Sequence, residues 1–163
     1  QSLEISRAKT ASLFSTACFV GAWYANQDEQ IAGHLAQYGN DMGMAFQLWD
    51  DVLDYTGDPK IMGKANGSDL REGRKTLPLL FALQCVSAAD RRTIQDTIGK
   101  QDASEDAVRA VCTLIAECGA FTQVQKRART YADSAIAHLD CLSQTPARDA
   151  LVELCEFAIT RDQ

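Results

Sequence analysis

The sequence predicts an all-α fold, an antiparallel helical bundle, and three observations support this prediction. Apolar residues recur at intervals of three and four along most of the 163 residues, which is the spacing of one helix face. Proline occurs only at Pro59, Pro78 and Pro146, so long stretches contain no helix breaker. No stretch alternates apolar and polar residues convincingly, as a half-buried strand would.

The spacing of apolar residues places the helices in order along the chain. Ser68 or Asp69 is expected to cap the third helix, and Thr145 followed by Pro146 has the pattern of a cap with proline in the first turn. The segment 57–67 is the one long loop in the first half, and such loops in compact helical domains are often functional. The predicted helices span residues 3–24, 28–56, 68–86, 88–99, 104–117, 119–141 and 146–162.

The composition is that of a folded globular protein and argues against nucleic acid as its partner. With 46% hydrophobic and 23% charged residues, the chain has enough apolar material for a packed core. The formal net charge of −6 argues against nucleic acid, because phosphate backbones are bound by basic surfaces. The negative net charge does not argue against a small anionic substrate, because local cations or metal ions override the global charge. No stretch approaches the roughly 18 apolar residues of a membrane span.

The cysteines have the pattern of structural thiols. None forms a CxxC pair, and no histidine stands at zinc-ligand spacing from two of them. Most lie among Ala, Val and Leu, as small buried residues do. We interpret them as reduced thiols of a cytoplasmic protein. They are Cys18, Cys85, Cys112, Cys118, Cys141 and Cys155.

The second predicted helix carries an acidic stripe near its end. At 100° per residue and with Asp50 as the origin, Asp54 falls at about 40°, Gln47 at about 60° and Asp51 at about 100°. Apolar side chains occupy the opposite side, so the helix is expected to be mostly buried. Carboxylates this close repel each other and destabilise a helix. No lysine or arginine occurs between positions 10 and 59 to relieve them.

We interpret the stripe as a site for a hard divalent cation. Mg²⁺ prefers carboxylate oxygens, retains waters and is commonly shared with substrate phosphate oxygens. The alternative is a solvated acidic face, but the apolar remainder of the helix favours the metal site. The predicted metal ligands are Asp50, Asp51 and Asp54.

The stripe belongs to a longer ordered pattern. The run FQLWDDVLDY at residues 46–55 resembles the second aspartate-rich motif of the trans-polyprenyl synthases. A single DDxxD would be a weak signal, whereas the whole ordered series is specific to that family. The continuation consists of KTASLF at 9–14, which resembles the Lys-Thr helix of the family, and of GD at 57–58, GK at 63–64, GSDL at 67–70 and EGRKTLPLL at 72–80.

The last segment narrows the resemblance. TPARDALVELCEFAITRDQ at residues 145–163 is similar to the tail of bacterial octaprenyl diphosphate synthases, which make the ubiquinone side chain. The resemblance covers the whole chain but only the second half of the fold of the family. We therefore expect residues 1–163 to form the C-terminal portion of a single polyprenyl synthase domain, with a bundle of the isoprenoid synthase type.

The resemblance implies a role for each matching residue. Asp50 and Asp54 are expected to bind Mg²⁺ that bridges to the diphosphate of the allylic substrate, with Asp51 in support. Lys9 and Lys64 are expected to contact that diphosphate and help it leave. A leaving diphosphate needs this combination, because metal and lysine together neutralise its charge in a site that excludes water.

The same resemblance implies two polar residues near the reacting carbon. Thr10 and Gln47 are expected to lie beside the allylic carbocation, where their dipoles stabilise developing charge. Arg74 stands where the family usually has lysine, and its planar fork differs from a point charge. It is a candidate for diphosphate binding, and a surface arginine is the alternative. The candidate catalytic residues are Lys9, Thr10, Gln47 and Lys64.

The implied reaction joins an allylic diphosphate to isopentenyl diphosphate, with a long all-trans product, octaprenyl in the narrower expectation. The first DDxxD of the family precedes the Lys-Thr helix, and this chain begins almost at that helix. We therefore expect a fragment of a homodimeric cytoplasmic synthase that is inactive alone, exposes apolar surface and associates. Two alternatives are a non-catalytic truncated subunit that binds Mg²⁺–diphosphate or docks to a complete synthase, and a helical interaction module with a vestigial motif. The intact candidate residues argue against the module.

Overall fold

The computed structural model describes residues 2–57, 63 and 66–161, and every regular element in that part of the chain is a helix. No strand occurs among those residues, so the predicted all-α class is confirmed. The elements are α1 (Ser2–Ser6), a π-helical turn (Arg7–Ala11), α2 (Ser12–Tyr24), α3 (Glu29–Thr56), α4 (Ser68–Arg71), α5 (Leu77–Cys85), α6 (Ala88–Thr97), α7 (Glu105–Glu117), α8 (Ala120–His138), a 3₁₀ turn (Leu139–Cys141) and α9 (Pro146–Ala158).

The chain divides into two compact units. The first comprises residues 3–49 and 126–161, and the second comprises residues 50–125. Each unit has its own buried apolar cluster. In the first unit the cluster is formed by Tyr38, Met42, Ala135, Leu139 and Cys155. In the second unit it is formed by Tyr55, Leu70, Leu79, Ala82, Ile94, Val108, Val111, Ile115 and Ala120.

The prediction of one helix over residues 68–86 was wrong, because two helices occupy this range. Gly73 has φ +75°, a left-handed conformation that ends α4. Thr76 is extended, and Pro78 lies in the first turn of α5, where proline can begin a helix but not continue one. A Cβ at Gly73 would also lie 3.3 Å from the Cα of Gly99, so the break is packed against another loop.

The predicted caps had mixed outcomes. The Thr145 side chain accepts a hydrogen bond from the Arg148 amide, so the cap of the last helix is confirmed. The residue before α4 is Gly67 with φ 74°, so neither Ser68 nor Asp69 is the cap of that helix. Ser68 Oγ and the Asp69 amide instead donate hydrogen bonds to the carboxylate of Asp54.

Two glycines bring α3 into backbone contact with the N-terminal helical segment. A Cβ at Gly43 would lie 2.6 Å from the Cα of Ala11, and a Cβ at Gly39 would overlap the carbonyl oxygen of Phe14. The two glycines are four residues apart and therefore lie on one face of α3. Because the neighbouring atoms belong to the backbone, they cannot move aside as a flexible side chain could.

Large apolar side chains are exposed on the first unit, which agrees with the predicted apolar surface. They are Ile5, Leu13, Phe19, Val20, Trp23, Tyr24, Leu154 and Phe157.

All six cysteines are free, as predicted. In the described part of the chain no single helix is long and apolar enough to span a membrane, although α7 and α8 together, bent at their junction, reach the required length and composition.

We predict that Gly43→Ala lowers the free energy of unfolding by about 1–3 kcal/mol, because the new methyl group meets the Ala11 backbone. The matched control is Gly33→Ala in the same helix, where nothing lies within 4 Å of the new Cβ. That change is expected to raise the free energy of unfolding by roughly 0.5–1 kcal/mol through helix propensity. Urea unfolding followed by circular dichroism measures both values. Equal effects of the two substitutions would contradict the proposed backbone contact.

Candidate active site

Lys9 and Thr10 lie in a π-helical turn, whereas the sequence predicted a continuous α-helix there. The flanking residues Ser6 and Ser12 have ordinary helical dihedrals, so the chain remains helical through the turn. Lys9 is exposed, Thr10 is half-buried, and Ala11 is fully buried. Such turns often occur at functional sites. No local sequence signal distinguishes this turn from regular helix.

The structure brings Thr10 and Gln47 together. Thr10 Oγ1 donates a hydrogen bond of 2.7 Å to Gln47 Oε1, across 37 positions of the sequence. The backbone contact explains why they meet. Ala11 packs on Gly43, and Gln47 follows Gly43 by four residues, one turn further along the same face of α3.

Asp54 is fastened to the segment that begins α4. It is only 2% exposed. Its Oδ1 accepts a hydrogen bond of 2.6 Å from Ser68 Oγ, and its Oδ2 accepts one of 2.9 Å from the Asp69 amide. Its backbone carbonyl also accepts a hydrogen bond of 2.7 Å from the Gly67 amide. This carboxylate is therefore a structural anchor for residues 67–69, whatever else it binds.

Further hydrogen bonds tie the same segment to the end of α3. Asn66 Nδ2 donates to the Tyr55 carbonyl at 3.1 Å, and Arg71 Nη1 donates to the Asn66 carbonyl at 2.9 Å. The Tyr55 hydroxyl is 2.9 Å from the hydroxyl of Thr76. Burial raises the pKa of Tyr55 far above its ordinary value, and the neighbouring carboxylate of Asp54 adds to that increase. Tyr55 therefore stays neutral and serves as a fixed hydrogen-bonding group.

Arg74 is held by carboxylates. Its Nη1 lies 3.0 Å from Asp69 Oδ1, and its Nη2 lies 2.6 Å from Glu72 Oε2. The guanidinium side chain is 54% exposed and can still be reached from solvent. A diphosphate bound by Arg74 would have to compete with these two acids.

The remaining candidates differ in exposure. Asp50 is half-buried, and Asp51 is only 6% exposed. Lys64 lies outside the described residues. Within the part of the chain that the structure covers, no three His, Cys, Asp or Glu side chains converge to hold a metal ion. The carboxylates do not form a closed cage of protein ligands by themselves.

A cavity of about 530 Å³ lies in the second unit, beside the end of α3. Its wall, as far as the described residues form it, includes none of the predicted site residues. Burial raises the pKa of the Cys112 thiol in this wall. The lining consists of Tyr55, Thr56, Asn66, Arg71, Glu105, Val108, Arg109, Cys112, Thr113, Ala116 and Phe121.

Sequence comparison matches residues 1–115 to the family described as polyprenyl synthetase. The chain is similar to octaprenyl diphosphate synthase of Escherichia coli strain K12, with 36% identity over 161 residues. This match covers 99% of the chain and 50% of the E. coli protein. The chain spans about half the length of the curated relatives it matches.

Solved structures give the same relationship. A polyprenyl synthase from Caulobacter crescentus CB15, complexed with calcium and isoprenyl diphosphate, has a TM-score of 0.94 and 40% identity, covering 99% of this chain and 49% of that one. A geranylgeranyl pyrophosphate synthase from Corynebacterium glutamicum, complexed with isoprenyl diphosphate and magnesium, has a TM-score of 0.91 and 33% identity, covering 98% and 46%. The helical isoprenoid synthase type predicted from the sequence is thereby confirmed.

We predict that Asp54→Asn lowers the free energy of unfolding by about 1–3 kcal/mol, because an amide cannot accept both hydrogen bonds and one buried donor loses its acceptor. Ser68→Ala should cost less, about 1 kcal/mol, and the two changes should be non-additive because they share one hydrogen bond. The control is Asp96→Asn at an exposed position of α6, which should have little effect. Urea unfolding of the four variants, including the double variant, measures the coupling. Strict additivity would show that the bond does not contribute.

Proposed function

This chain belongs to the polyprenyl synthetase family, and from that premise we propose that it is the C-terminal portion of a trans-polyprenyl diphosphate synthase domain. The complete protein would condense an allylic diphosphate with isopentenyl diphosphate. Within that domain, residues 1–163 would supply the Lys-Thr helix and the second aspartate-rich motif.

The hydrogen bond between Thr10 and Gln47 is the observation that carries the proposal. The family resemblance implies that these two residues both lie beside the reacting carbon, although 37 positions separate them. Their oxygens are 2.7 Å apart in a half-buried setting. Their dipoles can stabilise positive charge on an allylic carbon. No basic residue is assigned to remove the final proton, and the leaving diphosphate is the proposed acceptor.

Lys9 and Lys64 are the proposed cationic contacts of the allylic diphosphate. Lys9 is exposed beside Thr10, so its ammonium group is available to an incoming anion. Arg74 is proposed as an auxiliary contact, because it would have to exchange Asp69 or Glu72 for phosphate oxygens. These cations, together with the metal, would neutralise the diphosphate as it leaves.

The described carboxylates fit an ion that is shared with substrate. Mg²⁺ usually binds one or two carboxylates and completes its shell with waters and substrate phosphate oxygens, so a closed protein cage is not needed. We assign Mg²⁺ with Asp50 as the primary ligand and Asp51 in support. Asp54 would contribute chiefly by fastening residues 67–69. When bound, the ion supplies positive charge to the diphosphate leaving group.

The finer parts of the proposal follow the E. coli relative. We propose an octaprenyl product for a quinone side chain, supported by the match to octaprenyl diphosphate synthase over 99% of this chain. The Corynebacterium relative is named for a geranylgeranyl product, so the product is a property to be measured on the complete protein. We further propose that the complete enzyme is a cytoplasmic homodimer.

We predict that the chain binds farnesyl diphosphate in the presence of Mg²⁺ and that EDTA removes this binding, as isothermal titration calorimetry can measure. Asp50→Ala should weaken binding by at least about tenfold, or about 1.4 kcal/mol, because the bridging carboxylate is lost. Asp96→Ala is the matched control, since Asp96 is an exposed aspartate outside the site.

Two results would contradict the proposal. One is equal affinity in Mg²⁺ and in EDTA, which would exclude a metal-bridged diphosphate. The other is equal affinity of wild type and Asp50→Ala, which would remove Asp50 from the metal site. Absence of binding under both conditions would reject the idea that these residues form an allylic half-site without further protein.

A further inference from the structure

Arg161 fastens the segment after α9 to α3. Its guanidinium carbon lies 3.8 Å from the centre of the Phe46 ring. Its Nη2 donates to the Phe46 carbonyl at 3.4 Å, and its Nη1 donates to the Ala158 carbonyl at 3.0 Å. In return, Trp49 Nε1 donates to the Arg161 carbonyl at 3.3 Å. The side chain of Arg161 thus contacts Phe46, and its backbone carbonyl binds Trp49, three residues further along α3.

The contact requires a guanidinium group. Arginine can place its flat face over an aromatic ring while its in-plane N–H groups donate to carbonyl oxygens on either side. Lysine could remain near the Phe46 ring, but a single ammonium group cannot reproduce the fork that spans two carbonyls. The geometry therefore depends on the shape of the side chain as well as on its charge.

Phe46 connects this contact to the candidate active site. The Phe46 carbonyl belongs to the peptide group that continues into Gln47, so a donor bound to that carbonyl restrains the backbone of Gln47. The Phe46 ring also packs against Phe14, with 5.8 Å between ring centres. Phe46 therefore precedes Gln47 directly in α3 and packs against Phe14, which follows Thr10 by four residues.

We propose that Arg161 is a positioning residue, which holds Phe46 and thereby keeps Gln47 in hydrogen-bonding position with Thr10 at the allylic site. This inference rests on the proposed function. Arg161 would act through Phe46 and Gln47 and not on the diphosphate itself, because its guanidinium is engaged by the Phe46 ring and by two carbonyl oxygens.

The test compares Arg161→Ala and Arg161→Lys with a control that loosens the same helix elsewhere. Arg129 Nη1 donates to both carboxylate oxygens of Glu156 at 2.8 Å, so it links α8 to α9 without contacting Phe46. Arg129→Gln is therefore the control. The side-chain amide signals of Gln47 in ¹H–¹⁵N NMR spectra of the chain are identified by their loss in Gln47→Leu. Thermal unfolding and Mg²⁺-dependent binding of farnesyl diphosphate are measured on the same samples.

Arg161→Ala is expected to shift and broaden the Gln47 amide signals, because the contacts that hold Phe46 are lost. Arg161→Lys should give intermediate displacements, which keeps the test decisive if the alanine variant fails to fold. Arg129→Gln should lower the thermal midpoint and leave the Gln47 signals and the affinity unchanged. Unchanged Gln47 signals in both Arg161 variants would overturn the proposal, as would an equal displacement in Arg129→Gln.

The NMR measurement also separates this inference from the proposed function. Displaced Gln47 signals in the Arg161 variants, in a chain whose wild type binds no farnesyl diphosphate, would support the positioning contact and reject the allylic half-site. Mg²⁺-dependent binding in wild type together with unchanged Gln47 signals in both Arg161 variants would support the half-site and reject the role of Arg161.

Discussion

Backbone contact between α3 and the N-terminal helical segment sets the distance between Thr10 and Gln47 in the first unit. Gly39 and Gly43 allow two helix backbones to touch, and a methyl group at either position would meet backbone atoms. A threonine side chain is short, so Thr10 can reach Gln47 only because the helices approach this closely. The same approach brings the rings of Phe14 and Phe46 together and presents Phe46 to Arg161. The Thr10–Gln47 hydrogen bond and the contacts around it thus depend on glycine at positions 39 and 43.

The acidic end of α3 shows how burial assigns different tasks to identical side chains. Asp54 is almost completely buried, and its two oxygens accept hydrogen bonds from Ser68 and the Asp69 amide, as a structural carboxylate requires. Asp50 is half-buried on the same helix and is the better candidate for a ligand that must exchange waters and phosphate oxygens. The sequence motif treats these carboxylates alike, whereas their surroundings separate an anchor from a candidate ligand.

The fold class and the acidic stripe on α3 could be predicted from the sequence, because both follow from the spacing of residues within single helices. The single long helix α3 and the cap at Thr145 are of this kind. The break between α4 and α5 was missed although its signals are local: Gly73 is left-handed at the end of α4, and Pro78 lies in the first turn of α5. Arg161 was missed for a different reason: 115 positions separate it from Phe46, and no local pattern encodes such a contact.

The π-helical turn at Arg7–Ala11 is equivalent to a one-residue insertion in an otherwise regular helix. Such an insertion changes the phase of the helix by about 100°, so α1 and α2 follow two different registers along one continuous rod. Ala11, which lies in the turn, is fully buried against Gly43, and Lys9, two residues earlier, is exposed. Deleting one residue here would restore a single phase, and every side chain on one side of the deletion would face a new direction. The number of residues in this turn is therefore as much a part of the site as their identity.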